Sequence, residues 1–424
     1  MDYFNYINNE LYCEDVPVSE IAAEAGTPLF VYSKRTLTEH FDQIKKAFAE
    51  IPLLICYSIK ANSNLSILKV LKELGSGIDA VSIGEIKRAL AIGADPSKIV
   101  FAGVGKTDEE IAFALDTGIL MFNVESEAEI ENINRIALQK GTLARIALRI
   151  NPDVDPKTHQ YITTGKRENK FGIDIKMAED LIARLPKMRG IELKGLHCHI
   201  GSQITTVEPY ESAGHKLIQL YAKCQQSYPL EFLNLGGGFG IFYKEHDARP
   251  VSDFASKIVP LIKASHCKLI LEPGRFIAGN AGIFLTQAQY IKRSDGEHTF
   301  VICDGGMNDL IRPSLYQAYH RIWPVKSEIA PGHAVPTEKC IKADIVGPIC
   351  ESGDFLGKER ELPAVERGDL LAVFSAGAYG FSMSSNYNSR PRSAEILVDG
   401  NKWNLIRKRE SCESIFANEI DLIK

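Results

Sequence analysis

Four short stretches set reactive or permissive residues where apolar runs end. CYSIKAN (56–62) follows the apolar IPLL and ends a predicted strand on Lys60, with Cys56 and Ser58 on the same face by strand periodicity. HCHIGSQ (197–203) carries His197 and His199 on one strand face, NLGGGFG (234–240) carries Gly236, Gly237 and Gly238, and LEPGR (271–275) holds Glu272 and Arg275 around a Pro-Gly turn. A partly desolvated lysine with small neighbours suits a Schiff base with an aldehyde. Glycines free of side chains let a phosphate approach backbone N–H groups.

Each stretch also has a bland account. Lys60 alone could bury its stem and carry its ammonium to water. A triple glycine alone is a tight turn, and Glu272 with Arg275 alone is a surface ion pair of small energetic value. The two histidines lack a third ligand at an evident spacing, so no metal site is read from them. Together, a lysine, a phosphate cradle, a carboxylate and an imidazole match the needs of pyridoxal 5′-phosphate: a Schiff base, an anchor, a partner for the pyridine nitrogen and a stacking wall.

These residues need elements that bring them to one place. Apolar, β-branched stretches at 53–60, 78–82, 99–103, 119–124, 144–150, 193–200, 232–238 and 269–274 alternate with helical patterns. Helix ends are marked near Ser63, at a capping box from Ser126 to Glu129, and at Gly75 and Gly141. Eight near-continuous apolar strands, each followed by a helix, predict a parallel (β/α)8 barrel over 35–280, with its active site at the C-terminal strand ends. A doubly wound sheet is disfavoured, because no G-x-G-x-x-G opens the first helix. The segment 151–173 is read as a loop whose conformation the sequence does not fix.

Beyond about residue 280 the texture becomes strand and turn, with Asp399-Gly400 as a hairpin signal. The α/β barrel is therefore joined by an antiparallel β domain made of 1–34 and 281–424. TPLFVYS (27–33) would be a ninth barrel strand, so it is expected to cross over and pair with that domain.

Composition narrows the partners. A net charge of -5 from 49 basic and 54 acidic residues, without a basic run, excludes nucleic acid and anionic membranes and leaves small molecules or copies of the chain itself. Nine cysteines without a C-x-x-C pair, and an acidic, polar N-terminus, point to a reducing cytoplasm without processing.

The motifs YSIKAN, GIDAVSIGE (77–85), HCHIGSQ, GGGFG, EPGR, DGGMNDLIRPSLY (304–316), GPICESGD (347–354) and GAYGFSMSSNYNSRPR (377–392) resemble those of the diaminopimelate decarboxylases, in the expected order over nearly the whole chain. That family has the alanine-racemase-like fold, a barrel plus a β domain, and acts as a head-to-tail homodimer. The resemblance implies Schiff-base chemistry at Lys60 and ring stacking by His199. It assigns the phosphate to Gly236, Gly237 and Gly238 with Tyr379, and the pyridine nitrogen to Glu272. Asp79, Ser202, Gly274 and Arg275 would also contact the cofactor. Arg275, Arg312, Tyr316 and Tyr379 would hold the substrate, Glu351 its distal ammonium, and Cys350 would protonate the carbanion from the partner subunit.

A carboxylate at the ring nitrogen favours decarboxylation over racemisation. The expected reaction is conversion of meso-2,6-diaminopimelate to L-lysine and carbon dioxide. The alternatives are a decarboxylase of ornithine, lysine or arginine, which would have little use for Arg312 and Arg275 as a carboxylate clamp, and a non-catalytic cofactor carrier, which would have little use for Cys350.

Overall fold

The computed structural model describes residues 2–155, 164, 170–243, 248–294, 298–332 and 339–423, so most of the segment 151–173 lies outside the described residues. The chain divides into two units. One comprises His40–Ile241 and Asp247–Phe276, the other Met1–Glu39, Phe242–His246 and Ile277–Lys424.

The first unit is a closed parallel barrel. Its strands are β1 (Leu53–Ser58), β2 (Gly77–Ala80), β3 (Ile99–Phe101), β4 (Met121–Val124), β5 (Ala144–Asn151), β6 (Ile191–His197), β7 (Phe232–Asn234) and β8 (Lys268–Leu271). Each pairs with its sequence neighbour, and β8 closes the ring on β1 through Leu269 opposite Leu53. The near-continuous apolar runs arise because both strand faces are covered. Leu54, Cys56, Val100, Met121, Ala147 and Ile270 fill the interior, with Phe232 packed against them. Burying each large aliphatic side chain stabilises the fold by about 1.5–3 kcal/mol; Ile270→Ala should therefore cost about 2–5 kcal/mol once the cavity is counted.

Helix boundaries follow local chemistry. The helix Leu65–Glu73 is capped by Asn64, whose side chain accepts from the Ser66 N–H, one residue beyond the Ser63 signal. At Glu127–Gln139 the Ser126 side chain accepts from the Glu129 N–H. The reciprocal half of that capping box is replaced: the Glu129 carboxylate accepts from the Glu125 N–H and pairs with the buried Lys106 ammonium. Both helices stop before a glycine in the left-handed region, Gly75 (φ 97°) and Gly141 (φ 65°).

One expectation needs correction. β1 ends at Ser58, and Lys60 lies in the 3-10 turn Ile59–Ala61 rather than on a strand face shared with Cys56 and Ser58. The Ser58 N–H is taken by the Pro273 carbonyl from beyond β8, and its hydroxyl by Asp79, so the chain turns there. Cys56 faces the barrel core.

In the second unit, Leu29–Ser33 pairs antiparallel with Gly282–Arg293 and parallel with Ala394–Asp399. Ala394–Asp399 and Lys402–Arg407 form the hairpin that Asp399-Gly400 signals, with Gly400 at φ 64°. Gly282–Arg293 also pairs with Leu370–Val373 and Thr299–Cys303. The sheet is mostly antiparallel, but Thr299–Cys303 runs parallel to Cys340–Val346, which then pairs antiparallel with Phe355–Pro363.

Candidate active site

The C-terminal strand ends of the barrel converge on a group of buried polar side chains. The turn after β1 places Lys60 Nζ 2.6 Å from Asp79 Oδ2 at the end of β2. Ser58 Oγ donates to the same oxygen at 2.5 Å. Burial raises the Asp79 carboxyl above its ordinary value, and the Lys60 ammonium opposes this. The Asp79 side chain is fully buried, whereas that of Lys60 is 38% exposed, so the amine stays within reach of a ligand.

Glu272, immediately after β8, sits in a cage of donors. Its Oε1 accepts from Asn123 Nδ2 at 2.9 Å and from Asn234 Nδ2 at 2.6 Å, and His197 Nε2 lies 3.2 Å from Oε2. Burial pushes this carboxyl up, but His197, Lys60 and Asn234 outweigh it and hold the group well below the usual carboxylate range. No ammonium or guanidinium among the described residues comes within ion-pair distance of it. A buried carboxylate held by two amides and an imidazole, with no ammonium or guanidinium at ion-pair distance among the described residues, can pair with a cation on a bound ligand.

His199 follows β6, and its Nδ1 accepts from the Gly237 N–H at 3.2 Å. Burial, with Arg149 and Lys60 nearby, lowers its pKa to about 3, which keeps the imidazole neutral. The glycine turn serves close packing: a Cβ at Gly237 would lie 2.1 Å from the Glu272 carbonyl oxygen, and Gly238 adopts φ 104°. The sequence reading treats all three glycine N–H groups as anchor points. In the structure the Gly236 N–H is bound to Asn234 Oδ1 and the Gly237 N–H to His199, while the Gly238 N–H has no acceptor among the described residues. Arg275 Nε donates to Ser202 Oγ at 3.1 Å on the same rim. Gly274 packs on β1, where a Cβ would meet Ser58 Cβ at 3.0 Å.

The remaining candidates lie in the second unit. Arg312 and Tyr316 bound the short helix Arg312–Tyr316, with Pro313 in its first turn. Tyr379 is held at φ 58°. Cys350 and Glu351 occupy the loop between Cys340–Val346 and Phe355–Pro363. Asp354 shapes that loop, accepting from the Met307 and Ile349 N–H groups at 2.7 Å each, and Gly306 and Gly347 make room for its carboxylate. The Cys350 N–H donates to Asn388 Oδ1 at 2.9 Å, and Tyr387 Oη donates to Glu351 Oε1 at 2.5 Å.

The sequence reading missed Asn123, Asn234, Asp354, Tyr387 and Asn388 as site-forming residues. Asn234 ends strand β7 and Asn123 is the penultimate residue of β4, both fully buried amides, a signal that was available in principle.

Residues 34–279 match the family model described as "Pyridoxal-dependent decarboxylase, pyridoxal binding domain". The barrel and this match together place the chain among the pyridoxal-dependent decarboxylases. The chain is 49% identical over 422 residues to a diaminopimelate decarboxylase of Aquifex aeolicus, covering 99% of this chain and 98% of the relative. It is 48% identical over 412 residues to one of Neisseria meningitidis, covering 97% and 99%. The crystal structure of diaminopimelate decarboxylase from Helicobacter pylori complexed with L-lysine superposes with a TM-score of 0.90 at 41% identity, covering 96% and 100%. The chain belongs to the diaminopimelate decarboxylase family.

The barrel mouth fits pyridoxal 5′-phosphate. Glu272 can accept a cationic partner, and Asp79 Oδ1 is buried without a partner among the described residues. The Gly238 N–H, Ser202 and Arg275 offer donors for an anion.

Proposed function

We propose that this protein decarboxylates meso-2,6-diaminopimelate to L-lysine and carbon dioxide, with pyridoxal 5′-phosphate held at the barrel mouth. The observation that carries this reading is the Lys60, Asp79 and Glu272 constellation in a chain that matches diaminopimelate decarboxylases over 99% of its length.

When bound, the cofactor supplies the electron sink for the pair left on Cα as carbon dioxide departs. Lys60 Nζ would hold it, with Asp79 keeping that nitrogen at the mouth. Glu272 would pair with the ring nitrogen and hold a proton there. His199, neutral, would stack against the ring. Gly238, Ser202 and Arg275 would take the phosphate with Tyr379, while Gly236, Gly237 and Gly274 give the rim its close packing. Arg275, Arg312 and Tyr316 bind the carboxylate at the far end of the substrate, a geometry that guanidinium forks suit, and Glu351 takes the distal ammonium. Cys350 Sγ delivers a proton to Cα after the carbon–carbon bond breaks.

The active form is a homodimer in which Cys350 and Glu351 serve the site of the other copy. The working compartment is the cytoplasm. All nine cysteines are free thiols, and no helix of the described residues is long and apolar enough to cross a membrane.

The test is carbon dioxide release from meso-diaminopimelate, L-lysine, L-ornithine and L-arginine in parallel, with the visible absorbance of bound cofactor recorded for wild type and Lys60→Ala. Release from diaminopimelate alone, with absorbance lost in the variant, is the expected result. Release from lysine or ornithine instead would overturn the substrate assignment, and absence of cofactor absorbance in the wild type would overturn the whole reading.

A further inference from the structure

His320 is fully buried and belongs to none of the roles assigned so far. It lies four residues beyond the helix Arg312–Tyr316 and just before the strand Ile322–Pro324. One ring nitrogen, Nδ1, is 2.8 Å from the Phe374 carbonyl oxygen, and the other, Nε2, is 2.8 Å from Arg312 Nη1. A carbonyl only accepts and a guanidinium only donates. The proton therefore sits on Nδ1, and Nε2 accepts from the arginine. This is a neutral imidazole in a single tautomer with both nitrogens satisfied.

Arg312 is itself buried, and the Tyr243 ring lies under its guanidinium at 5.1 Å from the centroid. Tyr243 also meets the His320 ring edge-on at 5.4 Å. One arm of the fork is thus tied to His320 and its flat face is backed by an aromatic ring, which fixes the rotation of the guanidinium plane. A long cationic side chain held this way loses little further freedom when it binds a carboxylate. A purely structural account would have His320 fasten the strand Ile322–Pro324 to its neighbour. That junction is already closed by the Phe374 N–H donating to the Arg321 carbonyl at 2.8 Å.

We infer that His320 is a positioning residue that sets Arg312 for the distal carboxylate of the substrate, an inference that rests on the role proposed for Arg312. It acts through Arg312 and makes no contact with the reacting atoms.

Two amide substitutions separate the hydrogen bonds. His320→Gln puts its amide near the place of Nε2 and keeps an acceptor for Arg312. His320→Asn puts its amide near Nδ1, keeping the donor to Phe374 and losing the acceptor. Holoenzyme carrying each variant, and Arg312→Ala as reference, is assayed for kcat and KM on meso-diaminopimelate, with melting temperature recorded for each. Loss of a hydrogen bond to a charged group predicts a rise in KM of roughly 10- to 100-fold for His320→Asn with kcat little changed, and a far smaller rise for His320→Gln. If Arg312→Ala raises KM while His320→Asn leaves it at the wild-type value, the positioning role is overturned and the clamp survives. It is equally overturned if His320→Gln raises KM as much as His320→Asn. If Arg312→Ala itself leaves KM unchanged, the clamp fails and the inference falls with it.

Discussion

The cage around Glu272 makes a quantitative claim that two near-isosteric substitutions can test. Asn234 bridges two groups, donating to Glu272 Oε1 and accepting the Gly236 N–H. Asn123 donates to the same oxygen, but its own Oδ1 is buried with no partner among the described residues. Asn234→Leu removes a bond to a charged group and orphans a backbone N–H, a combined cost of about 3–5 kcal/mol. Asn123→Leu loses a similar bond but also removes a buried, unsatisfied carbonyl, so its net cost should be about 0–2 kcal/mol. Loss of a donor to the ionised carboxylate moves the Glu272 pKa upward. Since that carboxyl starts well below the usual range, it stays ionised at neutral pH in either variant. Urea unfolding followed by circular dichroism should rank Asn234→Leu as much the less stable, while Asn123→Leu retains kcat within about tenfold of wild type. Equal destabilisation by the two, or a loss of kcat in Asn123→Leu as deep as in Glu272→Gln, would refute the cage as described.

Three further outcomes follow from the same geometry. Asp354→Ala should lower kcat through the loop that carries Cys350 and cost about 1–3 kcal/mol, because one buried and one partly buried N–H group lose their acceptor; Asp354→Asn, keeping one acceptor oxygen, should fall between, as steady-state kinetics and melting temperature would show. Mixing inactive Lys60→Ala chains with inactive Cys350→Ala chains should restore up to about a quarter of wild-type activity if sites are shared between copies, whereas no recovery despite subunit exchange would exclude sharing. His199, with a pKa near 3 in the fold against 6.5 ordinarily, binds fewer protons folded than unfolded. Its contribution to stability is complete above about pH 6.5 and is lost as pH falls toward 3, so melting temperature against pH should drop less steeply on the acid side for His199→Gln.

The barrel was legible because its signal is repetitive: eight apolar runs, each followed by a helical pattern, leave little choice of architecture. Lys60 was set on the wrong element, since strand periodicity cannot register that Pro273 and Asp79 capture Ser58 and turn the chain. The Ser126 signal marked a true helix start, yet its partner Glu129 is drawn away by Lys106, a contact from the preceding βα unit. The parallel pairing of Thr299–Cys303 with Cys340–Val346 was invisible, because local pattern gives strands and not the direction of a distant partner. Asn123 and Asn234 were passed over because each is one amide in an apolar run, and only the closed barrel brings both to the same carboxylate.

The strand Leu29–Ser33 has a consequence for how the molecule is made. It leaves the ribosome early, yet one of its two sheet neighbours, Ala394–Asp399, is synthesised about 360 residues later. At cellular rates of chain growth that is a wait of roughly 20–70 s, during which the barrel can fold between the two halves of the sheet. Through that interval a fully buried apolar strand stands unpaired on the side that Ala394–Asp399 will cover. Chains cut short before residue 394 would keep that edge open. They should be the ones that aggregate or call on chaperones, even though every residue of the barrel is already present.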